Sequence, residues 1–363
     1  GNTHDDGAGT LYYRPSAGGT FRVDAASTDA ESGVQGYTFS PLSGFASTNQ
    51  SGASLNVTFN GSSTGSGAFT VHATNNAGLD SSDAGYNVTA DSTAPSGGSL
   101  TVNGTAAMGA GSSSYLTSGG SVAVATTPYS DGGSGLASQV VTVQQATLSN
   151  DSCGAYGGAS VVGGASYGVA NGTCYLFTIT ATDNVGNVTT AQTTVKVDTT
   201  APVAPGISFT GASGGNTFVS GTTLYYRPSA GGAFTVNATG ASDPETGIAG
   251  YTFSTLNGFV STTQNGNHVD VTFDGSSTGG GAYTVVANNN ASVSSTPATG
   301  FSVTKDSTAP SGGLLSINPY SGSLSVAIAK TDFTDAGSGI ASNVVTRSNP
   351  QAPLAGACPV GGY

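Results

Sequence analysis

The strongest constraint on the fold is an internal repeat. The nine residues LYYRPSAGG occur twice, at 11–19 and at 224–232. Two further strings return at an offset of 214 residues: GYTFS starts at 36 and 250, and TFNGSSTGSGAFTV at 58 returns as TFDGSSTGGGAYTV at 272. An active site rarely occurs in two copies along one chain, whereas a structural unit often does. The repeat therefore predicts a tandem array of related modules.

A second repeated string sets the boundaries of these modules. The octapeptide DSTAPSGG begins at 91 and again at 306, and a segment of a different type lies between the two copies of the first repeat. Each complete segment closes on an aspartate and a TAP linker, and these aspartates are 107 and 108 residues apart: Asp91, Asp198 and Asp306. Two segment types therefore alternate, which we name A1 (1–93), B1 (94–200), A2 (201–308) and the partial B2 (309–363).

The two segment types share one strand pattern. AFTVHATNNAG from 68, LFTITATDNVG from 176 and AYTVVANNNAS from 282 place apolar residues at alternate positions, which is typical of a strand with one buried face. In A2 we expect seven strands: GISFTG, TLYYR, AFTVNAT, IAGYTFS, HVDVTF, AYTVVAN and GFSVT. The GSSTGSG and GSSTGGG loops are interpreted as hairpin connections. The prediction is an all-β fold, a tandem array of immunoglobulin-like β-sandwich modules in A-B-A-B order with the last one truncated.

Three strings also carry a family resemblance. TITATDNVGN followed by VKVDTTAP, together with DSTAPSGG, resembles the bacterial immunoglobulin-like tandem repeats of large secreted and cell-surface proteins, including adhesin stalks. The resemblance covers essentially the whole chain. It implies a spacer whose partners are neighbouring modules of the same longer chain, located outside a bacterial cell or on its surface.

Composition excludes several classes of function. A net charge of −12 disfavours nucleic acid as a partner, and no apolar run approaches the about 20 residues of a membrane-spanning helix. The 36% of hydrophobic residues occur in regular alternation, which argues against disorder. The opening GNTHDDGAG shows no signal peptide and is interpreted as the interior of a longer chain. No catalytic constellation is evident, so we expect no enzyme; a hydrolase would need a catalytic domain outside these residues.

The three cysteines follow the repeat. B1 contains Cys153 and Cys174, whereas B2 contains Cys358 at the position of Cys153. We therefore predict a Cys153–Cys174 disulfide and a partner for Cys358 beyond this sequence; a free thiol is the alternative. A disulfide indicates an oxidising compartment.

Acidic loops are the strongest candidate for a ligand site. In the immunoglobulin topology the linker aspartate, the loop after the second core strand and the loop after the penultimate strand meet at one pole. Their oxygens are the donors that Ca²⁺ prefers, although Asp and Asn also simply form turns. The hypothesis is Ca²⁺ at the module junctions, with Asp198, Asp243 and Glu245 as the best-placed set and Asn289 as a neutral oxygen donor. The full set of candidate ligands is Asp91, Asp131, Asp183, Asp198, Asp243, Glu245, Asn289, Asp306 and Asp335.

The duplicated LYYRP string presents two tyrosines on one strand, so one ring should face the core and the other the solvent. The exposed side could simply carry a stacked Tyr and Arg pair, or it could bind a partner through Tyr12, Tyr13, Arg14, Tyr225, Tyr226 and Arg227. The predicted function is a non-enzymatic structural segment of a long extracellular adhesin stalk or surface fibre. The alternative is a module that binds glycan or a like subunit through these faces.

Overall fold

The computed structural model describes residues 1–211, 216–319, 321–323 and 325–348. These residues form 29 strands and two single-turn 3₁₀ helices, Pro15–Ala17 and Pro228–Ala230. The chain divides into two compact units, the first comprising residues 1–200 with 244–246 and the second comprising 201–243 with 247–363. Each unit consists of β-sheets, so the fold class is confirmed.

In the first unit, A1 is a sandwich of two sheets. The five-stranded sheet has the order β1-β2-β8-β7-β4 and the three-stranded sheet the order β3-β6-β5. The strands are β1 (Thr3–Asp5), β2 (Thr10–Tyr13), β3 (Gly19–Asp24), β4 (Val34–Phe39), β5 (Ser47–Ser51), β6 (Ser54–Phe59), β7 (Gly67–Asn75) and β8 (Ala84–Ala90).

B1 follows in the same unit, again with two sheets. One has the order β11-β18-β17-β13-β14, with β15 also paired to β13, and the other has the order β10-β9-β12-β16. The strands are β9 (Ser99–Val102), β10 (Thr105–Ala106), β11 (Ser113–Leu116), β12 (Gly120–Thr127), β13 (Leu136–Ser149), β14 (Ser152–Cys153), β15 (Ser160–Val161), β16 (Ser166–Val169), β17 (Thr173–Asp183) and β18 (Val188–Val197).

The second unit contains A2 and the described part of B2. A2 has one sheet in the order β20-β21-β27-β26-β23 and one in the order β19-β22-β25-β24, and B2 contributes the pair β28-β29. The strands are β19 (Gly206–Thr210), β20 (Thr217–Ser220), β21 (Thr223–Tyr226), β22 (Gly232–Thr239), β23 (Ile248–Phe253), β24 (Ser261–Asn265), β25 (His268–Phe273), β26 (Gly281–Asn289), β27 (Thr299–Lys305), β28 (Leu314–Ile317) and β29 (Ile328–Thr331).

Each complete sandwich has its own core and the same closing feature. An early strand pairs in parallel with the last strand in all three, β2 with β8, β11 with β18 and β21 with β27. The buried apolar residues of A1, B1 and A2 form three separate clusters, each drawn from both sheets. Burial alternates along β17 from Tyr175 to Asp183, as its period-2 pattern predicts.

Two details of the sequence interpretation change. The GSSTGSG loop does not connect a hairpin, because β6 and β7 lie in different sheets of A1, and its copy likewise joins β25 to β26 across the A2 sandwich. The strands β20 and β24 of A2 were not predicted. All five residues of β24 are exposed, so it lacks the apolar alternation that marks a half-buried strand.

The crossover loop explains part of the LYYRP repeat. Tyr13 is fully buried, and its hydroxyl donates a hydrogen bond of 2.8 Å to the carbonyl oxygen of Gly65 in this loop. The ring of Phe45 lies directly over Gly65, where an added Cβ would be 2.2 Å from a ring carbon. Tyr226, Gly279 and Phe259 repeat this arrangement in A2. One tyrosine of each pair therefore joins the two sheets.

We expect Gly65→Ala to destabilise A1 by about 2 kcal/mol, because the new methyl group must displace the Phe45 ring within a packed core. Gly61→Ala is the matched control in the same loop, since an added Cβ there meets no atom within 4 Å. The measurement is amide hydrogen exchange in β6 and β8 of the full chain. Equal exchange rates in the two variants would contradict the packing argument.

Candidate metal centre

Three aspartates from three different elements converge where A1 joins B1. Asp91 follows β8 in the linker, Asp131 lies between β12 and β13, and Asp183 is the last residue of β17. One carboxylate oxygen from each lies within 4.8 Å of the others. Asp91 and Asp183 are only 3% and 2% exposed. The polar convergence expected from the sequence is therefore present at this junction.

Asp91 ties the linker to the B1 loop. Its backbone N–H donates to the Tyr13 carbonyl oxygen at 2.9 Å, while its Oδ2 accepts from the backbone N–H of Ser134 at 2.8 Å. The carboxylate lies against Gly133, where an added Cβ would be 2.6 Å from it. Burial raises the pKa of Asp91, but contacts from Ser134 and Thr93 outweigh burial and hold the pKa below its ordinary value. Asp91 is therefore a carboxylate at neutral pH.

The other two carboxylates organise their own loops. Asp131 Oδ1 accepts from the N–H groups of Gly133 and Gly135 at 3.0 and 2.9 Å. Asp183 Oδ1 accepts from the N–H groups of Val185 and Asn187 at 3.0 and 2.7 Å, and the Asn187 side chain donates to Asp183 Oδ2 at 2.7 Å. The turn-forming role that Asp and Asn commonly have is thus also fulfilled here.

Turn formation alone does not explain why the three carboxylates lie so close together. At an effective dielectric constant of about 20, two carboxylate charges at the upper limit of 4.8 Å repel by about 3 kcal/mol. The hydroxyl of Ser134 is buried beside the Asp91 carboxylate and helps to hold the pKa of Asp91 below its ordinary value. Ser134 is 5% exposed and contacts Asp91. Three carboxylates with a neighbouring hydroxyl form the hard oxygen donor set that suits Ca²⁺.

The A-type loops differ from this arrangement at one position. Asn75 of A1 and Asn289 of A2 occupy the position of Asp183, and each donates from Nδ2 to the loop aspartate, Asn75 to Asp29 at 3.3 Å and Asn289 to Asp243 at 3.1 Å. Asn289 Oδ1 accepts from the Val293 N–H, and its role as a neutral oxygen donor to a cation stays a prediction. An amide replaces the third carboxylate in both A segments.

The acidic residues around the linker before A2 belong to two different units. In the first unit, Asp198 is fully buried, and its carboxylate accepts from the Thr246 hydroxyl. The Thr200 hydroxyl lies 3.1 Å from Asp198 Oδ1 and 3.0 Å from Glu245 Oε2. In the second unit, Asp243 Oδ1 accepts from the Gly247 N–H at 3.3 Å. Calcium binding by this set stays a prediction.

The linker before B2 repeats the Asp91 geometry. Asp306 Oδ2 accepts from the Ser338 N–H at 2.9 Å, and Asp335 Oδ1 accepts from Gly337 and Gly339 at 2.9 and 3.0 Å. Contacts from Ser338 hold the pKa of Asp306 below its ordinary value. Two of the three acidic positions are thus reproduced in the second unit.

The two tyrosines of each LYYRP string differ in burial, as neighbouring residues on a strand do. Tyr13 and Tyr226 are buried, whereas Tyr12 and Tyr225 are partly exposed. Arg14 is partly buried and donates from Nη1 to the carbonyl oxygen of Gly186 in B1. The sequence indicated the alternation of the rings but not this contact.

The predicted disulfide is confirmed: Cys153 and Cys174 are bonded, and Cys174 is fully buried. Cys358 lies outside the described residues. None of the described helical turns is long and apolar enough to cross a membrane.

Comparisons with known proteins complete the description of the site. A scan of protein-family models and a search of curated proteins find no match. Similar solved structures include a 1.5-MDa bacterial ice-binding adhesin, at 18% identity and a TM-score of 0.30, with 83% of this chain and 93% of that chain covered. The Escherichia coli adhesin FdeC is 16% identical with a TM-score of 0.23, and the match covers 80% of this chain and 94% of that chain. The fibronectin(III)-like modules of Clostridium thermocellum CbhA are 16% identical with a TM-score of 0.26, and the match covers 57% of this chain and 93% of that chain.

Proposed function

We propose that this chain is a non-enzymatic structural segment of a long extracellular adhesin stalk or surface fibre of a bacterium. Its tandem sandwiches act as spacers, and Ca²⁺ bound by Asp91, Asp131 and Asp183 stiffens the junction between A1 and B1. The observation that carries the proposal is that the linker aspartate is built into the loops of the following segment. The disulfide of B1 supports an oxidising, extracellular location.

The A1–B1 linker is bonded on both sides. The Asp91 N–H is held by Tyr13 of A1, and the Asp91 carbonyl oxygen accepts from the Asn187 side chain of B1 at 3.2 Å. Four residues further on, the Pro95 carbonyl oxygen accepts from the Thr189 hydroxyl at 2.6 Å. A flexible tether would leave these backbone groups to water, whereas a spacer that holds its length needs them fixed.

Hydrogen bonds already hold this linker, and bound Ca²⁺ would add further contacts to it. Its ligands come from the linker and from both adjoining loops of B1, so binding would couple the position of the linker to the B1 sandwich. Asp91, Asp131 and Asp183 would provide charge, and Ser134 a neutral oxygen.

The second candidate function is binding of glycan or a neighbouring subunit through the Tyr and Arg faces. At A1 this candidate has less support, because the Arg14 guanidinium is already engaged by Gly186. At A2 it has more support, because Arg227 is exposed beside Tyr225.

The experiment for the spacer function is a distance measurement across the A1–B1 junction. Spin labels are placed in β5 and β15 of the full chain, and the width of their distance distribution is measured by double electron–electron resonance. We expect a narrow distribution that broadens in Asp91→Ala but not in Asp24→Ala, a change at a carboxylate that is 53% exposed in the same segment. A distribution that is broad in the unaltered chain would refute the rigid spacer.

A further inference from the structure

The contact between Arg14 and Gly186 is the starting point for a further inference. Arg14 follows β2 and precedes the Pro15–Ala17 turn, so it projects at the end of A1 that adjoins B1. Its guanidinium lies across Gly186, where an added Cβ would be 3.4 Å from Nη1 and 3.5 Å from Cζ. Gly186 also has a φ of 88°, a conformation that favours glycine. Arg14 therefore contacts the backbone of a loop whose conformation favours glycine at this position.

The loop that presents Gly186 also holds the linker. Its ends are fixed by Asp183, which accepts from the N–H groups of Val185 and Asn187. The Asn187 side chain extends from the same loop to the linker carbonyl oxygen of Asp91. Arg14 and the linker thus contact one loop of B1, the five residues Asp-Asn-Val-Gly-Asn at 183–187.

A2 presents an arginine in the same way. The backbone of Arg227 has φ −101° and ψ 102°, against −99° and 104° for Arg14. The following linker is held identically, since the Asp306 N–H donates to the Tyr226 carbonyl oxygen at 2.9 Å. The same asparagine-to-glycine bond of 2.8 Å supports the turn after each arginine.

The surroundings of the two arginines differ. Arg227 is exposed and lines a pocket of about 620 Å³ within the second unit, together with Tyr225, Lys305 and Pro310. Among the described residues, its guanidinium donates to Asn216 Oδ1 at 3.2 Å. No loop equivalent to 183–187 lies in the part of B2 that the structure describes, because the described strands of B2 end at Thr331.

We propose that this pocket of A2 is the docking surface for the loop after the penultimate strand of a B-type segment, with the sequence Asp-Asn-Val-Gly-Asn. Arg227 donates to the glycine carbonyl oxygen of that loop, and the loop asparagine reaches the Asp306 linker. The occupant follows from A1, where the same surface holds this loop. The proposal does not require a cation at the junction.

The arginine also sets the order of the segments. In B1, β11 pairs in parallel with β18 as β2 pairs with β8 in A1, and the residue after β11 is Thr117, at the position of Arg14. A guanidinium is thus available at the end of an A segment and not at the end of B1. Each LYYRP string therefore marks a segment that a B-type segment can follow.

The repeated octapeptide allows a direct test. Because DSTAPSGG stands at both 91 and 306, residues 91–200 can replace residues 306–363 without altering the linker. This chimera places a complete B-type segment, which has its own core, behind A2. Hydrogen exchange of the loop amides is measured with a chelator present throughout, so the result is independent of calcium.

In the chimera, we expect Arg227→Gln to raise the exchange rates of the grafted loop by about tenfold, the effect of losing one charged hydrogen bond. Arg14→Gln in the unaltered chain should raise the rates of loop 183–187 by a similar factor. Arg227→Gln in the unaltered chain is the control and should leave loop 183–187 unchanged. If Arg227→Gln leaves the grafted loop unchanged while Arg14→Gln has its effect, the docking proposal is overturned.

Discussion

Removal of the Cys153–Cys174 disulfide is expected to lower the free energy of unfolding of B1 by about 3 kcal/mol. The bridged residues are 21 apart in sequence. Closing a loop of this length lowers the conformational entropy of the unfolded chain, which stabilises the folded state by about 3 kcal/mol. The bond joins β14 to β17 beyond the main core, where Ala146, Leu148 and Tyr156 form a small separate cluster with it. Because this cluster is small and separate from the main core of B1, we expect this end of the sandwich to loosen first.

The experiment compares the unaltered chain with Cys153→Ala/Cys174→Ala, both carrying Cys358→Ala so that no thiol exchange occurs. Hydrogen exchange in β13 and β17 reports B1, and exchange in β6 and β8 reports A1. The double variant should accelerate exchange in B1 and leave A1 unchanged. Equal acceleration in both segments would show that the loss is not local to the disulfide.

Much of the fold can be predicted from the sequence because the repeated segments can be aligned with one another. Alternation identifies which residues of β17 face the core, and the copy of Cys153 in B2 distinguishes a paired cysteine from an unpaired one. Alternation does not identify the partner strand. A Gly- and Ser-rich loop can turn back within one sheet or cross to the other, so the path of residues 60–66 required the structure.

The candidate site was predictable in position but not in composition. The topology places the linker and two loops at one pole, and Asp91, Asp131 and Asp183 do meet there. The sequence favoured the set of Asp198, Asp243 and Glu245, although each of the two sets contains three acidic residues. It could not show that Asn289 turns its nitrogen toward Asp243, or that Ser134 buries a hydroxyl beside Asp91. The acidic loops share the pattern Asp-x-x-Ser/Thr-Gly, which contains Ser134, but this hydroxyl was not among the predicted ligands.

The difference between Asp183 and its counterparts Asn75 and Asn289 leads to the second large prediction. We expect Ca²⁺ at 100 times its dissociation constant to stabilise the first unit by about 2.7 kcal/mol, and we expect Asp183→Asn to abolish this gain. The variant replaces one of three converging carboxylates with the amide that the A segments carry. It relieves charge repulsion but loses the hydrogen bond from the Asn187 side chain, and because these effects oppose each other the variant should still fold.

Thermal unfolding of the full chain, with Ca²⁺ and with a chelator, measures this gain, and hydrogen exchange in B1 assigns it to the first unit. Asp83→Asn is the matched control, because it removes the same charge from a carboxylate that is 57% exposed and remote from the B1 loops in sequence. Calcium should stabilise this control as it does the unaltered chain. A gain retained in Asp183→Asn, or absent from the unaltered chain, would mean that the three carboxylates only form turns. A gain lost in Asp183→Asn alone would identify the third carboxylate as the feature that makes a B-type junction, and not an A-type loop, a cation site.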